Sequence, residues 1–215
     1  MQPALSRRTF LSLAATVLPG AACAHVDPRD SHAPHATETP RPLDDGAARH
    51  LPGLELPDVA LPSTAGGFVH LAKLTSRRFV LYAYPRTGRP GAALPDGWND
   101  IPGARGCTAE ACAFRDHHRE LAQLGADVFA VSTQSTEYQK EMVARLRVPF
   151  EVLSDERLEL ATRLSLPTFA AGGMTLLRRL TLVVTDHRIE HVFYPVFPVE
   201  SHADEVIAWL AAHPL

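Results

Sequence analysis

Cys107 and Cys112 stand five residues apart in Arg105-Gly106-Cys107-Thr108-Ala109-Glu110-Ala111-Cys112. A thiol becomes a strong nucleophile once it loses its proton, so where these cysteines sit decides what they can do. A glycine precedes Cys107 and a helical pattern follows it. Upstream, Phe79-Val80-Leu81-Tyr82-Ala83-Tyr84 has the run of a buried strand, ended by Pro85. The order strand, loop, cysteine, helix places Cys107 at a helix N-terminus. There unpaired backbone N–H groups and the helix dipole favour the thiolate. Glu110, three residues on, is placed to reach back as in a capping box. The plain alternative is a pair of small buried apolar side chains. The glycine, the helix start and the second cysteine together favour the reactive one.

Two other chemistries fit less well. The pair is not Cys-x-x-Cys, the spacing of zinc ribbons and thioredoxin sites. A metal site from Cys107, Cys112, His117 and His118 needs side chains that converge. Cysteines five apart on a helix face different ways, and adjacent histidines diverge by roughly 100°.

The elements that must position the cysteines follow from the pattern. Residues 54–57 and 68–71 are predicted strands, paired as a hairpin around Gly66-Gly67. Residues 79–84 form the first central strand. Residues 86–105, rich in Gly and Pro and carrying Trp98, form a loop long enough to suggest a role. Helix is expected over 108–124, with Ala111, Phe114, His118, Leu121 and Leu124 on one face and Gly125 at its end. A strand over 127–133, a helix over 136–146 and a short strand over 150–153 follow. Asp155 is placed to cap a helix running to residue 164. Residues 180–185 and 189–194 should pair through Asp186-His187-Arg188. Ser201-x-x-Asp204 opens a last helix, stopped by Pro214. Alternating strands and helices closed by a hairpin and a helix make an α/β fold, a mixed central sheet with helices on both faces.

These residues carry a resemblance. Tyr84-Pro85, followed by Gly106-Cys107-Thr108-Ala109-Glu110-Ala111-Cys112-Ala113-Phe114-Arg115-Asp116, resembles the active-site segment of the peroxiredoxins. The subgroup with two cysteines five apart on one helix, the bacterioferritin-comigratory or peroxiredoxin Q type, is the most similar. The similarity continues through Val131-Ser132-Thr133, Leu153-Ser154-Asp155, Arg179-Leu180-Thr181-Leu182-Val183 and Ile189-Glu190-His191-Val192-Phe193, and spans about residues 54–213.

The resemblance implies a thioredoxin-like fold and a thiol-dependent peroxidase acting on hydrogen peroxide or organic hydroperoxides, with no cofactor and no metal. It implies Cys107 as the peroxidatic cysteine and Cys112 as the resolving one. A thioredoxin-like or other thiol reductant would serve as partner, and the protein would be a monomer or a dimer. An arginine from a later strand supports the departing oxygen in this family, and Arg179 matches that position. One departure stands out. The family places proline, threonine and cysteine within eight residues, whereas here Pro85 and Cys107 are far apart and Ala104 stands where the threonine belongs. Thr87 is the candidate to replace it. The extra residues, 89–104, are placed to cover the site or narrow its substrate. The competing reading is an exported redox sensor or general thiol–disulfide exchange protein with little turnover.

The chain has 215 residues, 46% hydrophobic and 21% charged, with a formal net charge of −3. That suits one globular domain with additional segments. With no basic stripe, nothing points to nucleic acid. Three cysteines are too few for a disulfide framework. Residues 1–24 have a basic start, a short apolar run and Ala22-Cys23-Ala24 at the end, the pattern of a cleaved signal. The apolar run is too short to span a bilayer, so no integral membrane segment is expected in the mature form. Arg7-Arg8-Thr9-Phe10-Leu11 resembles a twin-arginine signal, which implies export to the periplasm or cell envelope. Lipid anchoring through Cys23 is the alternative. Residues 25–52, rich in Pro, His, Asp and Ala, are expected to be a disordered linker. Residues 53–215 are then the folded domain.

Overall fold

A computed structural model describes residues 39–215. The expected signal segment and half of the expected linker, residues 25–38, lie outside them. Its centre is a five-stranded sheet in the order β5-β4-β3-β8-β9. Strands β3 (Arg78–Ala83), β4 (Asp127–Ser132) and β5 (Glu151–Ser154) run parallel. β8 (Leu180–Thr185) lies antiparallel on the other side of β3, and β9 (Arg188–Phe193) pairs antiparallel with β8.

β3 shows why the sheet needs cover on both faces. Val80, Tyr82 and Tyr84 point into one core, and Phe79, Leu81 and Ala83 into the other. A strand buried on both sides has no polar face to alternate, which is why its sequence is a continuous apolar run. The first core is closed by α1 (Cys107–Asp116), α2 (His118–Gln123), α3 (Thr136–Leu146) and α5 (His202–Ala212), through Phe114, Leu121, Met142, Val206 and Leu210. The second is closed by α4 (Glu159–Leu164), through Leu160, Ala161 and Leu164. This is the mixed sheet with helices on both faces that the sequence led us to expect.

Several elements differ from expectation. Residues 54–57 are not the partner of 68–71. The hairpin joins β1 (Ala60–Pro62) to β2 (Phe68–His70), with Pro62 opposite Phe68. The turn over Ser63–Gly67 is tight, its Ser63 N–H bonded to Gly67 O at 3.1 Å, so the partner must be the segment directly upstream. Glu55 instead bridges to Arg188 at the sheet edge. The single helix expected over 108–124 is two. It starts at Cys107, and the backbone leaves helical values at His117 (φ −94°, ψ 3°). Ser201 makes no capping bond with its side chain. Asp155 does cap, its two carboxylate oxygens accepting from the N–H groups of Leu160 (3.0 Å) and Ala161 (2.9 Å).

The end of the expected linker is ordered. Leu51 is fully buried and Ala48 nearly so, both in the second core. His50 bonds Leu164 O at 2.9 Å, and the Tyr194 hydroxyl donates to Asp45. Two apolar side chains among prolines and charges carry no period, so composition concealed their burial.

A hairpin that the sequence analysis did not identify joins β6 (Thr168–Ala171) to β7 (Met174–Leu177). Gly172 and Gly173 turn it with positive φ at both positions (55° and 72°), the requirement of a two-residue hairpin turn.

Candidate active site

Cys107 is the first residue of α1, and Gly106 before it has φ 97°. A β-carbon at Gly106 would lie 3.1 Å from Val199 Cβ. The left-handed backbone and the close approach of Val199 both require glycine here. They turn the chain sharply so that the sulfur sits inside the first turn, near the unpaired N–H groups of the helix start. Cys107 is buried, and its thiol donates weakly to Ala104 O at 3.6 Å.

Arg179 comes from the strand side. Leu180 pairs with Ala83, so the start of β8 and the end of β3 share one edge of the sheet. Arg179, one residue earlier, therefore lies beside the loop that leaves β3. Its Nη2 donates to Cys107 Sγ at 3.1 Å and to Arg105 O at 2.9 Å. Its Nη1 donates to the Glu110 carboxylate. Both side chains of this ion pair are almost fully buried.

Glu110 thus does not reach back to the cap; it holds Arg179. Burial pushes its carboxyl up to about 7, against the pull of the Arg179 charge. Burial also works against the Arg179 cation, but Cys107 and Glu110 together outweigh it and drive its pKa upward. A guanidinium fixed on one side by a carboxylate presents its other nitrogen to the sulfur as a pre-placed donor. A signal for Glu110 was present in the sequence. It stands three residues after Cys107, with Ala111 and Phe114 at four and seven, so it lies on the buried face of α1. A carboxylate on such a face needs a partner.

Cys112 is buried on the same helix and lines the same cleft as Cys107. Thr87 is not brought to the sulfur. Its backbone N–H donates to Gln134 Oε1 at 2.9 Å, and its hydroxyl is directed to the same oxygen at 3.3 Å. Gln134 returns a bond from Nε2 to Thr87 O. The side chain of Gln134 thereby holds Thr87 where Thr87 was expected to fold back. Among the described residues no threonine hydroxyl bonds to Cys107 Sγ. Ala104 fills the family threonine's place and offers its carbonyl.

The additional segment forms a wall. Trp98 is buried against Ala104, Ala171 and Leu176, with its ring 6.2 Å from that of Phe169. The insertion is therefore pinned to the β6–β7 hairpin. Between it and α1 lies a cavity of about 540 Å³, lined by Arg86, Leu94, Trp98, Arg105, Cys107 and Cys112 among others.

The redoxin family profile matches residues 51–207. Peroxiredoxin Q of the chloroplast of Sedum lineare is 30% identical over 183 residues, 84% of this chain and 89% of that protein. Peroxiredoxin Bcp of Escherichia coli is 29% identical over 161 residues, 73% of this chain and 93% of that protein. Peroxidoxin BcpB of Mycobacterium tuberculosis superposes with a TM-score of 0.63 at 26% identity, covering 77% of this chain and all of that one. With a cysteine at the head of a helix, an arginine upon its sulfur and this breadth of similarity, the chain belongs to the redoxin family, among the peroxiredoxins of the Bcp and Q type.

Proposed function

We propose that the protein is a thiol-dependent peroxidase in which Cys107 is the nucleophile. The observation that carries this reading is the 3.1 Å contact from Arg179 Nη2 to Cys107 Sγ at the N-terminus of α1. The Cys107 thiolate attacks the terminal oxygen of a hydroperoxide. The S–O bond forms as the O–O bond breaks, and the departing oxygen leaves with the electron pair and gains a proton as water or an alcohol. Arg179 supports the charge on sulfur before the step and on oxygen during it. Cys107 is left as sulfenic acid, oxidised by two electrons. With Cys112 present as a thiol, its sulfur displaces hydroxide, which leaves as water, and a Cys107–Cys112 disulfide forms. Two equivalents of an external thiol, or one dithiol of the thioredoxin type, then return both cysteines to the reduced state.

The test is peroxide consumption by the fully reduced protein with excess dithiothreitol. Cys107→Ser should abolish turnover. Full turnover in that variant would refute the assignment. Cys112→Ser should leave the first oxidation of Cys107 near the native rate and stop the reaction at sulfenic or higher acids, read by mass spectrometry.

We further propose that residues 1–24 are a twin-arginine export signal and that the mature domain works in the periplasm or cell envelope. The support is the Arg7-Arg8-Thr9-Phe10-Leu11 motif with the short apolar run after it. Replacing Arg7 and Arg8 by Lys should hold precursor in the cytoplasm. Unchanged processing would exclude the route.

A further inference from the structure

We propose that residues 41–51 form a brace that holds Arg179 against Cys107, with Asp45 and Tyr194 as its clasp and therefore as positioning residues. This inference rests on the peroxidase reading and adds to it residues that act from a distance.

Arg179 is aimed through its terminal nitrogens. Its Nε is buried without a hydrogen-bond partner among the described residues. Nη1 is taken by Glu110. Nη2, the nitrogen that faces the sulfur, also donates to Arg105 O at 2.9 Å and to Gly103 O at 3.3 Å. Gly103 is near the end of the additional segment, and Arg105 follows that segment directly. The position of this end therefore sets the aim of the arginine.

The end of the segment is backed by residues 41–51. A β-carbon built on Gly103 would lie 3.6 Å from Pro42, an ordinary van der Waals contact. Pro42, Pro102, Gly103 and Tyr194 close around the rear of Arg179 and leave a cavity of only about 10 Å³. Side chains packed this closely transmit a displacement instead of absorbing it.

The brace is itself fixed at both ends. Ala48 and Leu51 are buried in the second core. Toward the other end, the Tyr194 hydroxyl donates to Asp45 Oδ1 at 2.9 Å, and the Arg41 guanidinium lies 5.6 Å from the centre of the Phe197 ring. Asp45 is set for this bond, because the same oxygen accepts from the Ala47 N–H at 3.0 Å. Tyr194 is well placed to hold the brace beside Arg179. Phe193 stands opposite Thr181 in the β8–β9 pair, so Tyr194 leaves β9 at the edge of the sheet where Arg179 enters β8.

The experiment is stopped-flow oxidation of the reduced full chain by hydrogen peroxide. Asp45→Ala and Tyr194→Phe should each slow oxidation of Cys107 about three- to tenfold. That is less than the roughly 10²-fold a 1 Å misplacement can cost, because Glu110 and Arg105 O still hold the arginine. Asp45→Asn keeps an oxygen that accepts from the hydroxyl and should react within a factor of about two of native. The deciding arm is a cycle with Arg179→Lys. In that background Asp45→Ala should cost less than a factor of about two, since no guanidinium remains to be aimed, whereas a general structural loss would cost the same in both backgrounds. Native rates in both Asp45→Ala and Tyr194→Phe would overturn the proposal. So would Asp45→Asn as slow as Asp45→Ala, or an equal cost of Asp45→Ala in the two backgrounds. In those cases the native protein still oxidises and only the brace fails. If hydrogen peroxide does not oxidise Cys107 in the native protein, the peroxidase reading fails with it.

Discussion

The Glu110 carboxylate, three residues after Cys107 on the same helix, grips the Arg179 guanidinium whose other nitrogen donates to the Cys107 sulfur. Helix and strand are thus joined at the reacting atom, and the arginine's fork is needed on both sides. Lysine in its place keeps a charge for Glu110 but cannot reach two partners in fixed directions. Arg179→Lys should therefore fold and lose about 10²–10³ in the rate of Cys107 oxidation, the usual cost of removing a pre-placed donor. Stopped-flow oxidation by hydrogen peroxide measures it. A rate within a factor of about three of native would show that the arginine only closes an ion pair.

Gly106 should be irreplaceable for two separable reasons. Its φ of 97° costs an L-residue roughly 1–2 kcal/mol, and a β-carbon would press on Val199. Gly106→Ala should lose at least that much stability in urea. Adding Val199→Ala should relieve the contact and leave the backbone cost. An unchanged midpoint in Gly106→Ala would mean that the turn before the cysteine relaxes freely.

His202 makes a prediction about acid. It is buried at the start of α5, bonded to the Thr181 hydroxyl at 2.8 Å, two residues along β8 from Arg179. Burial first, and the Arg179 charge second, bring it down from 6.5 to about 3. Between those values the unfolded chain binds a proton that the folded chain does not, so this group makes stability rise with pH. Glu110 acts in the opposite sense. Its folded value of about 7 exceeds 4.5, so its contribution falls as pH rises between them. A variant isolates one from the other. The stability of native protein minus that of His202→Gln should grow from pH 4 to about 6.5 and stay level above. The slope should approach about 1.4 kcal/mol per pH unit. Parallel curves from urea denaturation would show that His202 does not titrate in this window.

How far the sequence revealed this arrangement differs from residue to residue. The apolar run of β3 and the glycine before Cys107 were visible because each is a local consequence of local geometry. Arg179 was not, since one arginine before a strand is ordinarily a surface charge. Only the family resemblance singled it out, and its contact with Cys107 spans 72 residues of chain. Glu110 was assigned to a cap because capping is a local pattern, whereas its true partner lies across the sheet edge. Thr87 failed for the same reason in reverse. It is the threonine nearest Pro85 in the chain, but Gln134, from the loop after β4, engages it. The β6–β7 hairpin carried its signal in Gly172-Gly173, between strands too short to show a period.

The disulfide poses the last question. Residues five apart on an α-helix are separated by roughly 7.5 Å of rise and 140° of rotation, so their Cα atoms lie about 8–9 Å apart. A disulfide requires no more than about 7 Å. α1 runs unbroken through both cysteines, and Cys107 is free. Closing a Cys107–Cys112 bond must therefore unwind the first turns. Those turns are held by the Glu110–Arg179 pair and by the arginine's hold on the sulfur. Conversion of the thiolate to neutral sulfenic acid removes one of the two anions that Arg179 binds, so the restraint weakens at the moment when opening is needed. Beyond Cys112 the helix has another anchor. The Phe114 ring stacks on Tyr82 with centroids 4.4 Å apart and planes within 3° of parallel. Opening should stop there. In the disulfide form, amide exchange should accelerate over residues 108–112 and remain slow from Phe114 onward, as read by hydrogen-exchange mass spectrometry against the reduced protein. Glu110→Gln, which loosens the restraint in advance, should speed disulfide closure relative to sulfenic acid formation. A closed Cys107–Cys112 disulfide on an undistorted helix, or closure unaffected by Glu110→Gln, would refute this account.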